Sequence, residues 1–285
     1  MKMNRLTVLS MLLVLSVTSA LAGENLSLVD ITRGYFRAES MKAVRPLADG
    51  ETYSQISDDG KRVVSYSFRT GKQVAVLFDA STARGERIEK VDGYIISPDG
   101  KRMLIQTKTA PIYRHSLTAV YYIYDIRNNK LEPLSDGGPQ QTPQFSPDGN
   151  QIAFVRENNI YLVKLLYDNA ESQVTKDGKL NEVINGVPDW VYEEEFSTNS
   201  SMVFSADSKQ IVWIRYDESA VRQYSMQLYK GMAPEHGEYA EYPGDYTYKY
   251  PVPGQVNSKV SVLSYDIQSH QTRKIDLPLD TDGYI

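Results

Sequence analysis

Residues 189–196 carry the side chains best suited to chemistry in this chain. They read Asp-Trp-Val-Tyr-Glu-Glu-Glu-Phe. Three consecutive carboxylates repel one another, so they need either a partner cation or full solvation. Adjacent helix positions are about 100° apart, so Glu194 and Glu195 can approach one small cation from two sides, whereas Glu193 points away from Glu195. An exposed acidic turn is the alternative, but the flanking aromatic residues favour a partly buried, anchored segment.

The start of this segment predicts a short helix. Pro188 and Asp189 are typical of a helix beginning, with Asp189 as the N-cap. Acidic side chains in the first turn then lie near the positive end of the helix dipole, which favours them.

The octapeptide resembles the acidic substrate-binding segment of the dipeptidyl peptidase IV branch of the prolyl oligopeptidase family. In that family the second and third glutamates of the segment bind the free amino terminus of a peptide, so the resemblance implies this role for Glu194 and Glu195. Residues 113–126 (YRHSLTAVYYIYDI) resemble the family's Arg-His-Ser segment and the strand after it. The resemblance implies that Arg114 binds a substrate carbonyl. His115 follows Arg114 without a neighbouring nucleophile motif, so we expect it to be a structural hydrogen-bonding residue. Residues 242–266 resemble the family's connection into the next propeller blade.

The resemblance implies the substrate-recognition portion of a secreted serine dipeptidyl aminopeptidase. Such an enzyme releases X-Pro or X-Ala dipeptides from peptides with a free N-terminus. The alternative is a non-catalytic periplasmic β-propeller that only binds peptides or proteins, since the repeats described below fit both. The resemblance also leaves a homodimer open for the full-length parent, although the residues themselves do not indicate an oligomeric state.

A recurring turn sequence predicts the elements that position these residues. Units of the type Ser-Pro-Asp-Gly-Lys-Arg begin at Ser57, Ser97, Ser146 and Ser205, each between two strand-like runs. Proline, aspartate and glycine suit such turns, and Ser208 replaces the glycine in the last unit, which should strain that turn. Repeats of 40–60 residues with several short strands are typical of propeller blades. We therefore expect an all-β fold over residues 46–285, a partial β-propeller of about four to five blades. The resemblance implies that the complete propeller has eight. A β-sandwich is less consistent with a repeated turn sequence.

Further strands and connections follow from the local pattern. Leu26–Phe36 is predicted to be a short helix or lead-in, and residues 233–254, with four prolines among five tyrosines, a loop. Packing between blades and peptide binding both remain open for those tyrosines. Strands are predicted between the repeated turns at Gln73–Phe78, Val120–Asp125, Asn159–Lys164 and Val260–Asp266.

The N-terminus predicts export. Lys2 and Arg5 precede an apolar run, and Ala20-Leu21-Ala22 forms a cleavage site, so we assign 1–22 as a signal peptide and 23–45 as a lead-in segment. The protein is then secreted or periplasmic, with no transmembrane segment after signal removal. The chain has no cysteine, which excludes disulfides, and a net charge of −5, which argues against nucleic acid as a partner.

The sequence contains no signature motif for several kinds of chemistry. The 285 residues contain no Gly-x-Ser-x-Gly pentapeptide, and the three histidines (His115, His236 and His270) are not beside a nucleophile motif. No residue spacing suggests a zinc site or a phosphate-binding loop, so neither metal nor cofactor is expected. The resemblance implies a nucleophile on a C-terminal α/β-hydrolase domain, whose catalytic triad this sequence lacks. We therefore expect a fragment of a larger peptidase that is inactive alone.

Overall fold

The computed structural model describes residues 26–229, 241–278 and 284–285. The chain divides into two compact units, Met1–Ala43 and Val44–Ile285. In the first unit a one-turn helix, α1 (Leu28–Thr32), begins after Ser27, whose hydroxyl oxygen accepts the Asp30 N–H at 3.1 Å. This confirms the short helix predicted in the lead-in. The predicted signal peptide lies outside the described residues.

In the described residues, the second unit contains four mainly antiparallel sheets of four or five strands, which follow one another along the chain, and a separate two-stranded ribbon. The first contains β1 (Arg45–Pro46), β2 (Thr52–Ile56), β3 (Arg62–Ser67) and β4 (Gln73–Asp79). The second contains β5 (Arg84–Gly85), β6 (Gly93–Ile96), β7 (Arg102–Pro111), β8 (Leu117–Asp125) and β9 (Lys130–Pro133), with β5 parallel to β9. The third contains β10 (Gln141–Phe145), β11 (Gln151–Arg156), β12 (Asn159–Lys164) and β13 (Ala170–Gln173), the last after a 3-10 turn at Leu165–Tyr167. The fourth contains β14 (Val183–Asn185), β15 (Met202–Phe204), β16 (Gln210–Asp217), β19 (Lys259–Asp266) and β20 (Gln271–Ile275).

Alternating side chains join each sheet to the next. On β7, Met103 and Ile105 pack in the core shared with the first sheet, whereas Leu104 packs in the core shared with the third. On β11, Phe154 faces the second sheet and Val155 faces the fourth. Because successive strand residues point to opposite faces, a central strand that is apolar at every position is buried on both sides. The sheets therefore stack face to face in chain order, as propeller blades do, and the predicted all-β fold is confirmed.

The repeated turns form as predicted. Gly60, Gly100 and Gly149 have φ of 69°, and the N–H of each donates to the carbonyl of the serine that begins its unit, at 2.9 Å. Ser208 takes the same left-handed conformation at φ 60°. The four predicted strands are also confirmed, each within three residues of its predicted bounds.

Two insertions interrupt the fourth sheet. Helix α2 (Trp190–Phe196) lies between β14 and β15, and a two-stranded ribbon of β17 (Gln223–Leu228) and β18 (Gly244–Lys249) lies between β16 and β19. The loop prediction for 233–254 is wrong at β18. Pro243 and Pro251 flank this strand rather than interrupt it, and its alternating tyrosines suit a pleated strand. Residues 233–240 of that prediction lie outside the described part of the chain.

Among the described residues, no helix has the length and apolar character needed to cross a membrane.

Candidate functional site

The acidic octapeptide forms helix α2, capped as predicted. The Asp189 carboxylate accepts the Tyr192 N–H at 2.9 Å, and the helix ends at Ser197, which has a left-handed φ of 54°. Tyr192 anchors the helix, because its ring is buried and packs edge-on against Tyr216 of β16 with centroids 4.9 Å apart. The apolar residues of the octapeptide therefore hold it on the fourth sheet, and its glutamates are presented from a fixed support.

The Arg-His-Ser segment lies at the tip of the β7–β8 hairpin. The outer end of β7, from Lys108 to Pro111, is exposed, so this hairpin extends beyond the packed core. A tight turn closes its tip, in which Ile112 N–H donates to the Ser116 carbonyl at 2.9 Å and Tyr113 N–H donates to the Ser116 hydroxyl at 3.2 Å. The turn presents Arg114 to helix α2.

Glu193 connects the helix to this turn. Its side chain is only 1% exposed, and its Oε1 accepts the backbone N–H groups of His115 and Ser116, both at 2.7 Å. Donor distances this short are typical of charge-assisted hydrogen bonds. Asn199 adds a longer contact, in which its amide donates to the His115 carbonyl at 3.3 Å. His115 is thus a structural hydrogen-bonding residue through its backbone N–H and carbonyl groups.

Arg114 and Glu194 form an ion pair. The Arg114 Nε lies 2.8 Å from Glu194 Oε2, with the arginine side chain 74% exposed and the glutamate side chain 15% exposed. Within the described residues, neither the two terminal guanidinium nitrogens of Arg114 nor the second carboxylate oxygen of Glu194 has a hydrogen-bond partner. The pair thus fixes the relative position of two charged groups and leaves donors and an acceptor available.

The two predicted ammonium ligands line neighbouring clefts. Glu194 and Arg114 line a cleft of about 400 Å³, and Glu195 lines a second cleft of about 560 Å³; Trp190 borders both. Glu195 is exposed, and no cation in the described part of the chain pairs with it. The aromatic and apolar walls of the first cleft come from the hairpin tip and the ribbon: Pro111, Ile112, Tyr113, Met226, Leu228, Tyr246 and Tyr248.

A second group of charged residues lies beneath the helix. Asp189, Glu193, Glu218 and Lys249 line a smaller cavity of about 220 Å³. Burial raises the pKa of Asp189. Burial also raises the pKa of Glu218 to about 7; the Asp189 charge acts in the same direction and Lys249 opposes it. The ammonium of Lys249 donates to the Val221 carbonyl at 2.6 Å, which holds the cation beside these carboxylates.

The structure therefore brings together Arg114 and Glu194 from the predicted set, and it places Glu195 at the adjoining cleft. Sequence reasoning missed the buried contact of Glu193 and the cavity around Glu218. Asp189 and Glu193 are four residues apart, a spacing that predicts that both side chains lie on the same face of the helix. Nothing local indicated that this face is buried.

The site offers carboxylates and a guanidinium to a charged, hydrogen-bonding ligand. Among the described residues, no group of three or more His, Cys, Asp or Glu side chains is placed to hold a metal ion. Stacked sheets of four or five strands with a recurring turn define a propeller-type all-β domain. The family pattern for the dipeptidyl peptidase IV N-terminal region matches residues 97–285. The chain belongs to this family.

Individual relatives agree with that assignment. A probable dipeptidyl-aminopeptidase B of Emericella nidulans is 40% identical over 194 residues, which are 65% of this chain and 21% of that protein. A dipeptidyl-aminopeptidase B of Aspergillus niger is 33% identical over 248 residues, or 81% of this chain and 27% of that protein. The crystal structure of Porphyromonas gingivalis dipeptidyl peptidase 4 superposes with a TM-score of 0.84 at 41% identity, covering 92% of this chain and 36% of that one. The chain thus spans about a fifth to a third of the length of these relatives.

Proposed function

We propose that this chain is the substrate-recognition portion of a serine dipeptidyl aminopeptidase that releases X-Pro or X-Ala dipeptides from peptide N-termini. The observation that carries the proposal is the Arg114–Glu194 ion pair, because it leaves charged groups of both signs open at one cleft. A peptide with a free N-terminus has the complementary groups, an ammonium followed at a fixed distance by a carbonyl oxygen.

Each residue has a defined part in this recognition. Glu194, through its open oxygen, and Glu195, from the far side of Trp190, accept hydrogen bonds from the substrate ammonium. The terminal nitrogens of Arg114 donate to a substrate carbonyl, a geometry that suits the forked guanidinium. Fixing the amino terminus in this way sets which peptide bond reaches a nucleophile elsewhere in the enzyme, so the site acts as a ruler.

The test uses the full-length protein and a Gly-Pro chromogenic substrate. Charge-assisted hydrogen bonds are worth roughly 1.5–3 kcal/mol each, so Glu194→Gln and Glu195→Gln should each lower kcat/KM by roughly 10- to 100-fold. N-acetylated peptides should be poor substrates, because acetylation removes the cation. Glu89→Gln is the matched control, since Glu89 is an exposed carboxylate in the loop between β5 and β6. Full turnover of acetylated peptides would contradict the proposal.

Peptide binding without hydrolysis would instead favour a non-catalytic binding module. Isothermal titration with a free and an acetylated Xaa-Pro peptide separates that outcome from loss of the site. Binding of both peptides with equal affinity would show that the glutamates do not bind the amino terminus.

We also propose that the protein is exported and cleaved after Ala22, which supports a peptidase acting outside the cytoplasm. The apolar run and the small residues at positions 20 and 22 support this. Mass spectrometry of exported protein should find Gly23 at the N-terminus, and recovery of an intact Met1 chain would contradict it.

A further inference from the structure

The tip of the β7–β8 hairpin, which carries Arg114, lies beyond the exposed outer end of β7. The outer strand residues of β7 are exposed, and the Arg114 side chain is itself largely in solvent with one ion-pair contact to Glu194. An ion pair between solvent-exposed side chains contributes little free energy to keeping them in place. The backbone of the tip must therefore be held by something else if Arg114 is to occupy one position.

Glu193 is the buried group that meets this need. Its carboxylate accepts two successive backbone N–H groups of the tip, those of His115 and Ser116, directly after Arg114. These bonds come from the residue next to Glu194 on the same helix. One rigid helix thus holds both partners of the ion pair, Glu194 through its own backbone and Arg114 through the tip.

From this geometry we infer that Glu193 is a positioning residue: it fixes the Arg114 backbone relative to Glu194 so that the guanidinium meets the substrate carbonyl. The inference rests on the proposed function for Arg114. Glu193 itself does not touch substrate, because its side chain is buried. One side-chain oxygen of Glu193 accepts both N–H groups, so an amide oxygen at the same reach can accept them too, although more weakly without the charge.

The variants separate hydrogen bonding from charge and length. Glu193→Gln keeps an acceptor oxygen at the same reach, Glu193→Asp is one methylene too short, and Glu193→Ala removes the acceptor. We expect the glutamine variant to retain kcat/KM within about threefold of wild type, and the aspartate and alanine variants to lose about tenfold or more. Glu89→Ala provides the surface control.

A double-mutant cycle with Arg114→Ala tests whether Glu193 acts through the arginine. On the Arg114→Ala background, Glu193→Ala should reduce kcat/KM by less than about twofold further, because the group it positions is gone. Equal losses on both backgrounds would overturn the inference, as would a glutamine variant as impaired as alanine. If the alanine variant fails to fold, the aspartate and glutamine variants are compared in its place.

Hydrogen exchange supplies a readout that needs no peptide turnover. The amides of His115 and Ser116 should exchange faster in Glu193→Ala and Glu193→Asp, and as in wild type in Glu193→Gln and Glu194→Gln. Unchanged exchange at these amides in the alanine variant would overturn the anchoring itself. A full-length wild-type protein that hydrolyses no peptide would refute the proposed function, while this measurement would still decide whether Glu193 holds the tip.

Discussion

At the scale of single residues, three adjacent glutamates occupy three different environments. Glu193 is buried and bonded to backbone, Glu194 is mostly buried and paired with Arg114, and Glu195 is exposed. The turn of the helix between successive positions produces this difference, because it sends identical side chains towards the hairpin tip, the first cleft and the second cleft. The three identical side chains therefore have different contacts and different structural roles.

Arg114→Ala should separate recognition from stability. An exposed ion pair contributes about 1 kcal/mol or less to unfolding, so the melting temperature should fall only slightly. Peptide kcat/KM in the full-length protein should fall about tenfold or more, since the carbonyl loses its donors. Thermal denaturation and kinetics on the same preparation check this. A large drop in melting temperature with unchanged kinetics would assign Arg114 a structural role, that of neutralising Glu194.

Glu218 should make stability depend on pH. Its pKa is about 7 in the folded protein against an ordinary value of 4.5, so the unfolded chain releases this proton at lower pH than the folded chain. The Glu218 contribution to the free energy of unfolding is therefore unaffected below pH 4.5, decreases as pH rises from 4.5 to 7, and stays reduced above, by at most about 3 kcal/mol.

Glu218→Gln removes this titration while it keeps the side-chain size. The variant should be more stable than wild type at pH 8, with a difference that shrinks towards pH 4.5. Urea denaturation at several pH values measures it, with Glu89→Gln as a control that should show no such trend. A variant less stable than wild type at pH 8 would show that the Glu218 charge is needed beside Lys249.

At the scale of elements, the repeated turns do more than reverse the chain. Ser208, which replaces the repeat's glycine, is buried at 5% exposure in a left-handed conformation that costs a non-glycine residue energy. Its hydroxyl accepts the Asp148 N–H at 3.0 Å and its carbonyl accepts the Gln151 amide at 3.1 Å. The strained turn thus bonds to the equivalent turn of the preceding sheet, which offsets the strain.

Substitution at Ser208 should reveal both contributions. Ser208→Ala keeps the unfavourable φ and leaves the Asp148 N–H unbonded, so it should destabilise by about 1–3 kcal/mol. Ser208→Gly also loses the bond but relieves the strain, so it should be within about 1 kcal/mol of wild type.

The chain offers a control for the backbone cost alone. Gly100 has φ 69° and open space where a Cβ would be added, so Gly100→Ala measures left-handed strain without a clash. Chemical denaturation of the three variants makes the comparison. Equal loss in Ser208→Ala and Ser208→Gly would mean that the strain at this turn is negligible.

At the scale of the whole chain, the first sheet has exposed apolar side chains. On β4, Val74 is 59% exposed and Val76 is 45% exposed. Phe68, directly after the end of β3, is 52% exposed. Apolar side chains grouped in this way on a sheet favour association.

The 285-residue chain alone should therefore self-associate and hydrolyse no Gly-Pro chromogenic substrate, since its sequence holds no Gly-x-Ser-x-Gly motif. Size-exclusion chromatography with light scattering and a peptidase assay measure both properties. Val74→Lys should reduce the association, because it places a charge on the exposed face. A stable, active monomer would contradict the prediction and require a nucleophile among the blade residues. The homodimer of the full-length parent stays a prediction.

The sequence by itself determined the repeating framework of this protein. Its turn units, alternating strands and the Asp189 cap depend on contacts within a few residues, so local chemistry was enough to predict them. The octapeptide likewise identified Glu194 and Glu195 as candidates. The strand at β18 was missed because its partner β17 lies on the far side of a long connection, which local proline content does not reveal. Only the tertiary structure decided that Arg114 meets Glu194 from 80 residues away, that Glu193 is buried against the hairpin tip, and that the two candidate glutamates face different clefts. Each of these depends on how the second sheet packs beside the fourth-sheet insertion, and such packing is set by the summed burial of many side chains rather than by any local pattern.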